Sequence, residues 1–145
     1  MIVVTVPAAD CHHLRRQVLR DGRADAAVAF PGDDDPAALH LAALVGSHLI
    51  GVASFLPGTT PLRPGAPAVQ LRGMAVEPAH QGTGIGTALM QTALDRLRSD
   101  GVAVLWANAR DSALGFYEHL GMTVTGDGFR TADTGLPHHV VVLDL

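Results

Sequence analysis

The spacing of apolar residues changes several times along this chain, and each change marks an element. Val3 to Val6 is a short strand-like run. Ala8 to Leu19 has helical composition, with Leu14 and Val18 on one face and Arg15, Arg16 and Arg20 on others. Asp21 to Pro36 is polar and irregular, ending in Pro31-Gly32-Asp33-Asp34-Asp35-Pro36, a loop by composition. Leu39 to Val45 and His48 to Phe55 flank Gly46-Ser47 and predict a hairpin. Proline-rich Leu56 to Pro67 reads as a connecting loop, and Val69 to Val76 as a strand. Glu77-Pro78 closes that strand, because the residue before proline is pushed towards extended backbone and proline has no ladder donor. From about Gly84 to Arg98, Ile85, Ala88, Leu89, Ala93, Leu94 and Leu97 recur at helical spacing, with Thr87, Gln91, Asp95 and Arg98 opposite. Asp100-Gly101 stops the helix, since glycine tolerates the left-handed conformation there. A buried strand, Val102 to Ala107, follows. Asp111 or Ser112 can cap a short helix with the stripe Ala113, Phe116, Tyr117 and Leu120, ended by Gly121. Thr123 to Thr125 and Val140 to Leu143 read as terminal strands, joined by a loop ending Gly135-Leu136-Pro137-His138-His139. The order predicts an α/β fold with a mixed sheet.

Between the central strand and the long helix lies Gln81-Gly82-Thr83-Gly84-Ile85-Gly86. Alternating glycines at a helix N-terminus strip away side chains and leave orphan N–H groups at the positive end of the helix dipole. Such a site suits a pyrophosphate. The dinucleotide fingerprint does not fit, because Thr87 stands where its third glycine belongs and the next strand ends in Asn108 with no acidic residue. A phosphate-binding G-K-[ST] loop does not fit either, for want of a lysine in the segment.

The pattern Q-x-x-G-x-G after a strand and before a long helix resembles the pyrophosphate loop of the GNAT superfamily of acyl-CoA-dependent N-acetyltransferases. Asn108 and the later string Ala113-Leu114-Gly115-Phe116-Tyr117-Glu118-His119-Leu120-Gly121-Met122 look like the GNAT segment that wraps the pantetheine arm and supplies a catalytic tyrosine. The resemblance is strong from Leu71 to Met122 and architectural before that. The full string is also similar to small bacterial members of that family that carry PGDDDP, LRGMAV, NAR and GxPH segments. The resemblance implies one GNAT-like domain over residues 1–145, with a mixed, mostly antiparallel central sheet flanked by helices. It implies acetyl-CoA as co-substrate and an amine acceptor; no metal is expected, because His12-His13 and His138-His139 have no Cys or carboxylate at ligand spacing beside them. Met74, Ala75 and Val76 then occupy the strand that parts from its neighbour to hold pantetheine, with the Val76 N–H as oxyanion donor. Gln81, Gly82, Thr83, Gly84, Ile85, Gly86 and Thr87 hold the pyrophosphate. Asn108 hydrogen-bonds the pantetheine or its thioester end, Phe116 belongs to the wrapping segment and Tyr117 protonates the leaving thiolate. Reference values near ~10 for phenol and ~8.5 for thiol make that transfer mildly uphill.

Composition changes the picture little. The 145 residues suit one domain. The longest apolar runs are too short for a membrane span, and Met1 to Val6 has no secretory n-region. One cysteine, Cys11, excludes an internal disulfide and fits a reducing cytoplasm. A net charge of −4 gives no footprint for nucleic acid or acidic membrane, and mildly favours a cationic or zwitterionic acceptor. A monomer or a homodimer is equally compatible.

The amine's base stays open. Many relatives carry a carboxylate on the strand before the glycine loop, but here that strand has Gln70 and Arg72. Candidates are His138 or His139, whose imidazole class titrates near ~6.5, and Glu77 after the strand. Deprotonation by solvent is the alternative. Asp33-Asp34-Asp35 is a solvated turn or a clamp for an amine. Arg110 pairs with a CoA phosphate, an acceptor carboxylate, or Asp111 or Glu118. Phe116, Trp106 and the methionines also suit plain core packing. A non-catalytic acyl-CoA-binding module on the same fold is the competing function.

Overall fold

The computed structural model describes all 145 residues, Met1–Leu145. Seven strands form one sheet: β1 (Ile2–Thr5), β2 (Leu39–Val45), β3 (His48–Pro57), β4 (Ala68–Val76), β5 (Val104–Arg110), β6 (Thr123–Arg130) and β7 (Pro137–Asp144). Their spatial order is β1-β2-β3-β4-β5-β7-β6. Every neighbouring pair is antiparallel except β4 and β5, which run parallel.

Alternation along the strands splits the apolar residues between two faces. On one face lie α2 (Ile85–Ser99) and α3 (Leu114–His119), over a core that includes Leu41, Ala43, Phe55, Leu71, Leu105 and Val141. The expected stripe of α2 is buried, with Met90 joining it in place of Ala88. The first helical segment covers the other face: a 3-10 turn (Ala8–Cys11), one α turn, α1 (His12–Leu14), and a π turn (Arg15–Leu19). It seals a smaller core of Cys11, Leu14, Ala42, Val52 and Ala75.

The strand that matters most is β4, and it is irregular. Val52 faces Ala75 but Ser54 faces Arg72, so β4 carries one extra residue at Gly73-Met74. Gly73 has φ +66°, and a Cβ there would stand 2.5 Å from a Phe30 ring carbon and 3.1 Å from Arg15 Nε. Only glycine meets both demands. A one-residue bulge also reverses which face each later side chain takes. Val69 and Leu71 point into the larger core, and beyond the bulge Met74 and Val76 pack against that core while Ala75 enters the smaller one.

The bulge marks where β4 leaves β5. The two strands pair only from Ala68 opposite Val104 to Gln70 opposite Trp106. Thereafter β4 stays with β3 to Gly51–Val76, and β5 stays with β7 to Arg110–His138. The resulting gap holds the candidate site.

Two terminal features depart from expectation. Strand β6 runs to Arg130 rather than stopping at Thr125, and β7 starts at Pro137, so His138 and His139 lie within a strand instead of in the loop before one. Neither Asp111 nor Ser112 caps α3 by a side-chain bond, because the Asp111 carboxylate instead accepts from His139 Nδ1 at 2.6 Å.

Candidate active site between β4 and β5

A cavity of about 560 Å³ fills the gap, lined among others by Phe30, Arg72, Met74, Asn108, Tyr117 and His138. Four residues expected at the site thus share one cavity, although they come from β4, β5, α3 and β7. Backbone geometry turns one more expected residue, Val76, towards the same gap, although it does not line the cavity. The Glu77 N–H donates to Ile50 O at 2.8 Å, so Ile50–Glu77 is a hydrogen-bonded pair of the β3–β4 ladder. Such pairs alternate with unbonded ones. Gly51–Val76 is therefore unbonded, and the Val76 N–H and C=O turn away from β3, towards the gap. The Val76 carbonyl is taken by Gln81 Nε2 at 3.0 Å. Ala75 does the opposite: its backbone faces β3 and its side chain is buried beside Cys11 and Leu14, so it offers the gap neither group.

Past β4, Pro78–His80 makes a 3-10 turn, and the Thr83 hydroxyl donates to His80 O. Gly84 caps α2 at φ +88° with no side-chain hydrogen bond to the helix. The first N–H groups of α2 lack intrahelical partners by construction, and they sit at the positive end of a 15-residue helix. Gly86 is small for a different reason from the one its motif position suggests. A Cβ there would lie 3.2 Å from Phe116 Cζ and 3.5 Å from Met74 Sδ. It makes room for α3, and Phe116 in turn meets Tyr117 edge-on at 5.1 Å. Gly86, Met74 and the Phe116-Tyr117 pair thus pack together, while Gly82 and Gly84 face open space.

Tyr117 is 8% exposed and its hydroxyl makes no hydrogen bond to protein. Burial pushes its pKa up to about 12. His138 is buried, stacks on Phe129 at 5.9 Å and has Nδ1 2.8 Å from Leu136 O. A carbonyl only accepts, so Nδ1 carries the proton and Nε2 of the neutral ring holds a lone pair. His139 points to the opposite face of β7 and is paired with Asp111 outside the cavity. Glu77 also lies outside it, 2.8 Å from His48 Nε2 and 3.8 Å from His80 Nε2.

A strand pair that parts beside an uncapped, glycine-led helix defines a fold class, and comparison with known proteins bears on it directly. Residues 9–122 match the family model described as Acetyltransferase (GNAT) family. The chain belongs to the GNAT acetyltransferase family. It is 31% identical over 140 residues to the uncharacterized N-acetyltransferase YitI of Bacillus subtilis, a match covering 97% of this chain and 93% of that protein. It is 38% identical over 66 residues to the [ribosomal protein bS18]-alanine N-acetyltransferase of Escherichia coli, covering 41% and 45% respectively. Among solved structures, a putative N-acetyltransferase from Lactobacillus plantarum superposes with a TM-score of 0.81 at 19% identity, over 99% of this chain and 97% of that one. An aminoglycoside 6'-N-acetyltransferase complexed with coenzyme A superposes with a TM-score of 0.79 at 16% identity, over the same shares. The protein is an acyltransferase with acetyl-CoA as its co-substrate. The chain's own features fit that co-substrate: an outward Val76 N–H, a helix start with no side-chain cap, and a cavity in the gap between β4 and β5.

Several residues that shape the cavity wall were invisible as such in the letters. Arg15 was expected off the Leu14–Val18 face of the first helix, and it is 1% exposed. It donates twice to Asp33, at 2.7 and 3.0 Å, and also to Val28 O and Ser54 Oγ. Asp33 is therefore neither a solvated turn residue nor an amine clamp. Burial raises its pKa, but the Arg15 hydrogen bonds, the Phe30 N–H and the Arg15 and His40 charges more than reverse this, leaving the carboxyl below its ordinary value. The pair anchors the loop that lays Phe30 along the cavity, between the guanidiniums of Arg15 at 4.0 Å and Arg72 at 4.4 Å. Arg110 pairs with neither Asp111 nor Glu118; its guanidinium donates to Leu19 O at 3.4 Å and lines the cavity. Gly73 inside a strand was the one available signal, since an isolated strand glycine marks a bulge or a close approach. No group of three or more His, Cys, Asp or Glu is arranged to hold a metal ion, and no helix is long and apolar enough to cross a membrane.

Proposed function

We propose that the chain moves an acetyl group from acetyl-CoA directly to a primary amine in a ternary complex, with Tyr117 as general acid. The observation that carries this reading is the parting of β4 from β5 with an outward Val76 N–H on one side and the unpartnered Tyr117 hydroxyl on the other. In this reading residues 1–145 act as one domain. Gln81 to Thr87 receive the pyrophosphate, with Gly84 supplying the left-handed backbone and Gln81 tying the loop to β4. Asn108 hydrogen-bonds the pantetheine arm, and Met74 and Phe116 pack beside it. The Val76 N–H meets the oxygen that gains negative charge as the amine attacks the thioester carbonyl. His138 Nε2 takes the amine proton, and Tyr117 gives its own to the departing sulfur.

Geometry ranks the other candidate bases lower. Glu77 and His139 already have hydrogen-bond partners outside the cavity, His48 and Asp111 respectively. A covalent acyl-enzyme on the lone cysteine is disfavoured, because Cys11 is fully buried on the far face and burial raises its thiol pKa. A free, buried cysteine also suits a reducing, cytoplasmic setting. Initial velocities measured with acetyl-CoA and an amine both varied test direct transfer. Intersecting lines are expected, and parallel lines would overturn it in favour of a covalent intermediate.

A further inference from the structure

The acceptor end of the cavity carries a charge pattern opposite to that of the whole chain. Three guanidiniums line it, those of Arg20, Arg72 and Arg110, against the single carboxylate of Asp133. The protein as a whole is acidic, with a net charge of −4. Asp133 is already paired with Arg20 at 3.2 Å. Arg110 has one long bond to a carbonyl. Arg72 has no ion pair and no hydrogen bond to protein; its guanidinium only stacks on Phe30. Burial pulls its pKa below the ordinary arginine value; Asp133 opposes this, while Arg15 and Arg20 add to it. A half-buried cation with five unused donors, in a cavity rich in like charge, is set to receive an anion.

None of Gln81 to Thr87 lines this cavity, so the arginines stand apart from the backbone donors of the glycine loop. A volume of about 560 Å³ is in the range of small-molecule sites. We infer that the acceptor is a small amine bearing an oxyanion, a carboxylate or a phosphate, which Arg72 holds while the amino group faces His138 and Tyr117. This rests on the transferase reading above and narrows it. A polycationic amine meets repulsion here, and a neutral amine leaves Arg72 unpaired. The overall acidity of the chain mildly favours a cationic or zwitterionic acceptor, and the local field narrows that to one that carries an oxyanion.

CoA release is to be followed with free L-amino acids, their C-terminal amides, O-phosphoethanolamine, ethanolamine and spermidine. At least one free amino acid should exceed its amide in kcat/KM by about 10- to 100-fold, or O-phosphoethanolamine should exceed ethanolamine by as much. Which pair discriminates identifies the oxyanion. Arg72→Gln should raise KM for the preferred acceptor and collapse that ratio, Arg72→Lys should restore part of it, and acetyl-CoA affinity by calorimetry should hold in both. Spermidine, ethanolamine or an amide matching or beating every anionic amine overturns the inference while leaving the transferase reading intact. So does a ratio unchanged by Arg72→Gln. Absence of turnover with every amine overturns it too, and if acetyl-CoA also fails to bind, the transferase reading falls with it.

Discussion

Replacing Tyr117 with phenylalanine removes one oxygen and breaks no protein hydrogen bond, so its effect isolates the proton donor. The ring stays edge-on to Phe116 and inside the same stripe. Thermal stability near neutrality should therefore hold or rise slightly. The catalytic cost follows from the acid's strength. A phenol at about 12 facing a thiol near ~8.5 makes complete transfer uphill by about 3.5 units, or about 5 kcal/mol, for a thiolate in water. Inside the cavity the thiolate is desolvated too, which narrows the difference. A held general acid is then worth ~10²-fold in rate, about 2.7 kcal/mol. CoA release under saturating acetyl-CoA should fall by that factor in Tyr117→Phe, with calorimetric acetyl-CoA affinity unchanged. Tyr117 is the only tyrosine in the chain, so near-ultraviolet tyrosinate absorbance reads its titration directly. The raised pKa favours the neutral phenol in the fold. That contribution is whole below the unfolded value of ~10 and is lost as pH climbs towards about 12, on the order of 3 kcal/mol in all. Tyr117→Phe should lack this alkaline loss. A kcat within twofold of wild type would refute the acid role, and a tyrosinate midpoint near ~10 would refute the burial argument beneath it.

Two further outcomes follow from the same geometry. His138→Gln should abolish the acidic limb of kcat/KM while His139→Gln and Glu77→Gln keep it; a limb retained in His138→Gln and lost in Glu77→Gln would move the base to the end of β4. Asp33→Asn leaves Arg15 buried without its anion and should cost about 3–5 kcal/mol in denaturant unfolding. Because the Asp33 pKa is lowered in the fold, its contribution is present above the ordinary carboxylate value of ~3.9 and vanishes as pH falls through the lower folded one. The variant should therefore lose less stability than wild type on acidification below that point. Equal acid sensitivity would mean that the pair contributes nothing there.

The parts of this site that local pattern encodes were legible. The α2 stripe, the strand before it and the glycine loop are written in spacing and turn chemistry, and Asn108, Tyr117 and His138 could be nominated from the segments that carry them. Facing and pairing were not legible. In Leu71-Arg72-Gly73-Met74-Ala75 only the lone strand glycine hints at a bulge, and it does not say that Ala75 is sent to the far face or that a cavity opens there. His138 and His139 are equivalent as letters, and only the register of β7 against β5 turns one inward and the other towards Asp111. Arg15 and Asp33 are 18 positions apart, and a buried ion pair across a loop leaves no local signature. The three-arginine lining draws on Arg20 just past the first helical segment, Arg72 of β4 and Arg110 of β5, so composition alone, which counts an acidic chain, could not show it.

The central claim is that acetyl-CoA lies with its pyrophosphate on the start of α2, where Gly84 holds φ +88° and no side chain caps the helix. Titrating acetyl-CoA into Gly84→Glu by calorimetry tests it most directly. A glutamate there strains the turn by about 1–2 kcal/mol and sets a negative charge against the phosphates. Circular dichroism should confirm that the variant is folded, while its acetyl-CoA affinity falls beyond detection. A folded Gly84→Glu protein that binds acetyl-CoA as tightly as wild type would contradict the account.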